Sequence, residues 1–256
     1  MWKSALFAAL LPLVFTGSFA QEFKSRPEAA TVIELFTSEG CSSCPPADRW
    51  LSQFKDDPDI FSTLVPLAFH VDYWDYIGWK DPYAARAFSQ RQRFYGQIGI
   101  LRSVYTPGFV VNGEEWRDWF RSHQAALPGS EANPGVLSGR IDDNELTVSF
   151  ASQQPLTLNF AYLGMGLSHK ITAGENRNKT LSHDFVVLSH WQLPAEQISS
   201  GNLVWKTKLK PVPDAAQQET ALVIWLTEPD SHRPVQATGT YLEARNTKIS
   251  RTVTYF

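Results

Sequence analysis

Apolar and polar positions along this chain follow two patterns, one in each half. In the first half, apolar runs of strand length alternate with helically spaced segments. Residues 31–36 (Thr-Val-Ile-Glu-Leu-Phe) are β-branched and apolar and read as a strand, broken by Thr37-Ser38-Glu39-Gly40. After Pro45-Pro46, the residues Ala47, Trp50, Leu51 and Phe54 fall on one face of a helix. Residues 64–73 read as a second buried strand, completing a right-handed strand–helix–strand unit. Asp81-Pro82 has the form of a helix start. Beyond it, Ala84, Ala87, Phe88, Arg91, Tyr95 and Ile98 mark an inner face, with Arg86, Gln90 and Arg93 outward. Pro107 enters a short apolar strand that ends at the turn signal Asn112-Gly113. Trp116, Trp119, Phe120, His123 and Leu127 are again helically spaced.

The second half reads differently. Residues 128–134, rich in Pro, Gly and Ser, form a linker, and short alternating segments follow at 135–141, 145–151, 156–163, 183–193, 203–209, 221–227 and 235–242. Many short strands with turns between them predict an antiparallel sandwich. The expected organisation is a signal peptide at 1–20, an α/β domain at 28–130 and a β-sandwich-like domain at 135–256. The signal reading rests on a short basic start ending at Lys3, an apolar stretch over 5–15 and the small-x-small site Ser18-Phe19-Ala20. It predicts a periplasmic or secreted bacterial protein, with no membrane association after cleavage. With 43% hydrophobic residues, 19% charged residues and a net charge of -3, the 256-residue chain carries no electrostatic signature of nucleic-acid binding.

Export changes how the cysteines read, because exported compartments permit disulfides. The chain has two, Cys41 and Cys44. In the chain-entropy description so small a ring contributes only about 2 kcal/mol, against about 4.7 for a 100-residue loop. The pair therefore suits a thiol–disulfide cycle better than a staple. Zinc would need four ligands; there is no second C-x-x-C, and the nearest histidine is His70. Placed between a strand and a helix, the pair would lie at a helix N-terminus, whose positive potential favours a thiolate. Cys41 is then expected to be the exposed attacking thiolate and Cys44 the buried resolving thiol.

Residues 31–127 resemble a thioredoxin-like domain. More narrowly, Glu34 through Asp48 around the Cys-Ser-Ser-Cys, His70-Val-Asp-Tyr-Trp-Asp75, Gly78-Trp-Lys-Asp-Pro82 and the stretch from Gly174-Glu-Asn176 to Val187 resemble a family of secreted bacterial proteins. That family is known as domain of unknown function 1223. The resemblance implies an α/β thioredoxin-like fold, a mixed sheet flanked by helices, followed by the smaller all-β domain. It also implies a cis Thr106-Pro107 bond beside the cysteines, with Pro107 shaping substrate docking. Glu34 has two readings: by the resemblance, a buried general base for Cys44, or else a partner in a salt bridge.

Other candidates also carry two readings. His70 and Asp72 alternate on the expected strand, and with Asp75 they make either a relay or metal site or a core histidine bonded to an aspartate. Tyr73, Trp74, Tyr76 and Trp79 read as a peptide-binding wall, with Thr106 beside it, or as cover between domains. Residues 175–179 form a polar turn, either a solvated loop or a gate over the cysteines. His169, His183 and His190 lack metal-ligand spacing. The expected activity is thiol–disulfide exchange, with no cofactor and no metal, and with protein thiols or disulfides or an electron-donor redox protein as partners. The alternative is a non-enzymatic module holding a protein, or copper(I) on the thiolate pair.

Overall fold

The computed structural model describes residues 20–194, 197–199, 201–229 and 231–243. The signal-peptide reading, apart from Ala20, lies outside these residues. In chain order the strands and helices are β1 (Gln21–Lys24), β2 (Thr31–Thr37), α1 (Pro45–Ser52), β3 (Leu64–His70), α2 (Arg86–Gln97), β4 (Gly108–Val111) and β5 (Glu114–Glu115). Then follow β6 (Ser138–Asp142), β7 (Glu145–Ala151), β8 (Thr157–Met165), β9 (Leu167–Lys170), β10 (Thr180–His183), β11 (Val186–Leu193), β12 (Gln197–Ser199), β13 (Asn202–Lys208), β14 (Glu219–Thr227) and β15 (Pro234–Tyr241).

These strands make an eight-stranded sheet in the order β15-β14-β8-β11-β3-β2-β4-β5, a five-stranded sheet in the order β1-β6-β7-β13-β12, and the two-stranded ribbon β10-β9. Within the large sheet, β3 is parallel to β2 and to β11, and the other pairs are antiparallel.

Alternation along the strands sorts the core. On β8 and β14, Leu158, Phe160, Tyr162, Leu222, Ile224 and Leu226 pack against Leu146, Val148, Phe150, Leu203 and Trp205 of the smaller sheet. Trp225 points the other way, toward Arg91 of α2, which also lies over Phe69 and Tyr95. Phe36 contacts Phe69 and Tyr95 on this side. The opposite face of β2, β3 and β4 is covered by α1, whose Trp50 meets Phe109 edge-on. One face of the large sheet thus holds α2, and the other holds α1 and the five-stranded sheet.

This corrects the expected fold class. The molecule is mostly β, and it is not a helix-flanked α/β thioredoxin-like domain followed by a separate smaller all-β domain. The early strands β2, β3 and β4 continue through the β3–β11 pair into β8, β14 and β15, so one sheet draws on both halves. β3 is buried along its whole length, and its second edge requires a partner, which the later chain supplies. The helix expected around 116–127 is reduced to a single 3-10 turn, Asp118–Phe120. Trp116 and Trp119 are buried and pack on Phe109, whereas Phe120 is exposed. Asp81 does not cap a helix either, because its carboxylate is engaged elsewhere.

Candidate functional site

Cys41 and Cys44 form a disulfide across 5.4 Å between their α-carbons. Cys44 rather than Cys41 is the N-cap of α1: its carbonyl accepts from Ala47 N at 2.8 Å and Asp48 N at 3.1 Å. The Ser43 hydroxyl lies 3.4 Å from the Cys41 sulfur. The expectation of an exposed Cys41 is corrected, since Cys41 is 1% accessible and Cys44 0%.

The tip of the β9–β10 ribbon lies against the backbone of the segment around Cys41. Asn176 is fully buried, and its Nδ2 donates to the carbonyls of Glu39 at 2.8 Å and Cys41 at 2.9 Å. Lys179 Nζ donates to Asn176 Oδ1 at 2.9 Å. Ser42 N donates to Glu175 Oε2 at 3.0 Å, and the Ser42 hydroxyl together with this N–H holds the Glu175 carboxyl below its ordinary range. The polar turn at 175–179 therefore sits on the Cys-Ser-Ser-Cys turn.

The other flank is aromatic. A Cβ on Gly40 would meet Trp74 Cβ at 2.9 Å, so glycine is what allows the Trp74 backbone to lie against the residue preceding Cys41. Trp74 Nε1 donates to Thr106 Oγ1 at 2.7 Å, and the Thr106–Pro107 bond is cis. Tyr73 turns away to donate to Gln92 at 3.0 Å, and burial pushes its hydroxyl up to about 12. Trp79 Nε1 donates to Glu39 Oε2 at 2.9 Å, and Tyr76 is 82% exposed.

Glu34 takes the salt-bridge alternative. It accepts from Arg91 Nε at 2.6 Å, Arg91 Nη2 at 3.1 Å and Tyr95 OH at 2.7 Å. Alternation sends it, with Phe36, to the α2 face, while Thr37 faces α1 and Cys44. His70 takes the core reading with a different partner, its Nδ1 lying 2.7 Å from Asp81 Oδ2. Asp81 also accepts from Glu39 N at 2.8 Å and Tyr83 N at 2.9 Å. Asp72 does not share His70's surroundings. The strand ends at His70, and Asp72 turns to the Ser89 hydroxyl. Asp75 accepts from Asp81 N at 3.2 Å, and its carboxyl is raised mainly by burial.

Sequence reasoning overlooked Glu39, Asp48, Asp81 and the two ribbon histidines as site residues, and singled out Asn176 only within the 175–179 turn. Glu39 Oε1 lies 3.2 Å from both His169 Nδ1 and His183 Nε2, which ties the ribbon to the segment before Cys41. His183 Nδ1 lies 3.8 Å from Asp48 Oδ2. Burial raises the Asp48 carboxyl, with His183 and His70 only partly offsetting it. Burial would lower His70, but the charge and hydrogen bond of Asp81 outweigh it and leave His70 raised. For Asp81 the same pairing outweighs burial and holds the acid low. Among the described residues no group of three or more His, Cys, Asp or Glu is arranged to hold a metal ion. The legible signals were positional, since Glu39 and Asp48 flank the cysteines, two before the first and four after the second.

A family model described as "Protein of unknown function (DUF1223)" matches residues 32–227. No curated protein matches the chain. Among solved structures, a crystal structure of an Agrobacterium tumefaciens protein is 24% identical at a TM-score of 0.56, covering 84% of this chain and 95% of that one. HBP35 of Porphyromonas gingivalis is 16% identical at a TM-score of 0.50, covering 91% of this chain and 80% of that one. At these identities what is shared is the fold.

Proposed function

The chain belongs to the DUF1223 family, and from the geometry around its cysteines we propose that it is an exported thiol–disulfide oxidoreductase working through the Cys41/Cys44 couple. The observation that carries this reading is a disulfide at the N-cap of α1, with one hairpin tip hydrogen-bonded to the Cys41 backbone. So small a ring adds little as a staple, and the N-cap position favours its thiolate form when reduced. Trp74, which lies against Gly40, donates to Thr106, the residue before cis Pro107. The signal-like segment at 1–20 supports an oxidising, extracytoplasmic setting.

In the chemistry proposed, the tip carrying Asn176 and Glu175 lifts away and a substrate thiolate attacks the Cys41 sulfur. The Cys41–Cys44 bond breaks, Cys44 leaves as thiolate, and a mixed disulfide forms. A second substrate thiolate then attacks the substrate sulfur, freeing reduced Cys41 and an oxidised substrate. Run in reverse, the same steps reduce a substrate disulfide. The partners are accordingly protein dithiols or disulfides. The test is equilibration of the native chain with glutathione redox buffers, beside dithiothreitol-driven insulin reduction. Exchange that disappears in Cys41→Ser is the expected result. A Cys41–Cys44 bond that stays inert to both reagents while the chain is folded would end the proposal.

A further inference from the structure

Under α1 lies a group of buried polar atoms that the fold leaves without partners. Both carboxylate oxygens of Asp48, Thr37 Oγ1, His70 Nε2 and His183 Nδ1 make no hydrogen bond. Each histidine is anchored through its other ring nitrogen, His70 by Asp81 at 2.7 Å and His183 by Glu39 at 3.2 Å. Two anchored imidazoles therefore present a free nitrogen to the surroundings of one carboxyl. Asp48 follows Cys44 by one helical turn on the same helix face, and its backbone N–H donates to the Cys44 carbonyl at 3.1 Å. A cavity of about 110 Å³ lies between Pro45, Asp48 and Arg49 of α1 and residues 180–183 of β10. It is polar, has room for a few water molecules at about 30 Å³ each, and carries Asp48 and His183 on its wall.

A buried carboxyl whose neighbours are Thr37, at the edge of hydrogen-bond reach, and His183 Nδ1 at 3.8 Å is poorly served, and costly as mere architecture. Its neighbours, and the cavity beside it, suit proton transfer. We infer that Asp48, supported by His183 and His70, accepts and returns the proton of Cys44 during thiol–disulfide exchange, with the cavity against β10 as its route to solvent. The inference rests on the oxidoreductase reading. In the resolving step the Cys44 thiol gives its proton to the Asp48 carboxylate. The resulting thiolate attacks the Cys41 sulfur of the mixed disulfide. The Cys41–Cys44 bond forms, the bond from Cys41 to the substrate sulfur breaks, and the substrate leaves as thiolate. The groups facing Asp48 are Thr37 on β2, His70 on β3, His183 on β10 and, more distantly, Asp81. Burial raises the Asp48 carboxyl above its ordinary value, with His183 and His70 offsetting part of the rise.

Two measurements on the full chain test this. In single-turnover resolution of a Cys41 mixed disulfide, Asp48→Asn slows the step by roughly 10²-fold and removes the carboxyl limb of its pH–rate profile, and Asp48→Glu recovers part of the rate. An Asn variant with an unaltered profile overturns the inference. Should that variant fail to fold, carboxyl ¹³C titration of Asp48 in the wild-type chain decides instead. A midpoint that moves between the oxidised and reduced chain supports the coupling, and one that does not move overturns it. A wild-type chain that exchanges normally while Asp48 is indifferent sinks this inference alone. A wild-type chain that does not exchange sinks the oxidoreductase reading as well.

Discussion

Asn176 shows how much one side chain does here. Its amide holds two backbone carbonyls, one of them from Cys41, and its own oxygen is held by Lys179. Net hydrogen bonds contribute about 1 kcal/mol each, and a buried carbonyl left without a donor costs about 1–3. Asn176→Ala is therefore expected to speed reduction of the Cys41–Cys44 bond by dithiothreitol roughly 10- to 100-fold, a range that follows from about 1.4 kcal/mol per decade. Stopped-flow reduction reads this directly, and an unchanged rate would mean that the ribbon tip is not the barrier. Glu34 makes the opposite case. Its bidentate pair with Arg91 is buried on the α2 face, away from Cys44. Breaking such a pair leaves an uncompensated buried charge, so Glu34→Gln should lower stability by about 3–5 kcal/mol in urea unfolding. The pH–rate profile of exchange should stay as it is; a shift in it would restore Glu34 as the general base. In the sequence Glu34 stood among apolar residues on a strand, and both readings were open. The choice depended on Arg91, a partner 57 positions away that no local pattern reveals.

At the level of elements, local patterns foretold much. β2, β3, α1, the cis bond at Pro107 and the Asn112-Gly113 turn stand where the periodicity and the resemblance put them, whereas α2 begins at Arg86 rather than at Asp81-Pro82. The strands of the second half fall within a few residues of expectation, with the β9–β10 ribbon and the short β12 as the exceptions. That ribbon is short, and its histidines gain meaning only from Glu39 across the fold. Asp81 misled for a related reason. An Asp-Pro pair reads as a helix cap, yet here the carboxyl locks the end of β3 by pairing with His70. That lock predicts a pH dependence. His70 is raised above its ordinary 6.5, so its stabilisation is complete below about pH 6.5 and is lost as pH climbs through the raised value. The raised Asp48 carboxyl works in the same direction, its penalty growing as pH climbs from its ordinary 3.8 through the raised value. Asp81 is held low, so its contribution is present above its ordinary 3.8 and fades as pH falls through the lowered value. Urea unfolding should therefore give the greatest stability in mildly acidic buffer and a decline toward pH 8–9. In His70→Gln the decline should flatten, at lower overall stability. A profile that rises through that interval would contradict the pairing.

For the molecule as a whole, what the sequence conceals is which strands become neighbours. The break in texture near 128–134 suggested a boundary between two units. Pairing follows a different plan, because hydrogen bonds between β3 and β11 are non-local and leave no periodic trace. The core shows the same plan. Val32, Ile33, Leu35, Phe69 and Tyr95 belong to one buried cluster with Leu163, Phe185, Val187, Val223 and Trp225. A fragment limited to 28–130 would lose β8, β11, β14 and β15, leaving one edge of β3 unpaired and removing His190 from the Phe69 ring. It would also lose Asn176 from the Cys41 carbonyl and His183 from Asp48 and Glu39. Burying a large apolar side chain is worth about 1.5–3 kcal/mol, and a domain's net stability is only about 5–15 kcal/mol. A few such losses are therefore enough to unfold what remains. The isolated 28–130 segment is expected to show no cooperative thermal transition by circular dichroism and poorly dispersed amide resonances, whereas the full chain melts in one step. A fragment that melted sharply and kept native-like exchange at Cys41 would show that the first half carries its own core, and that the shared sheet contributes only by association.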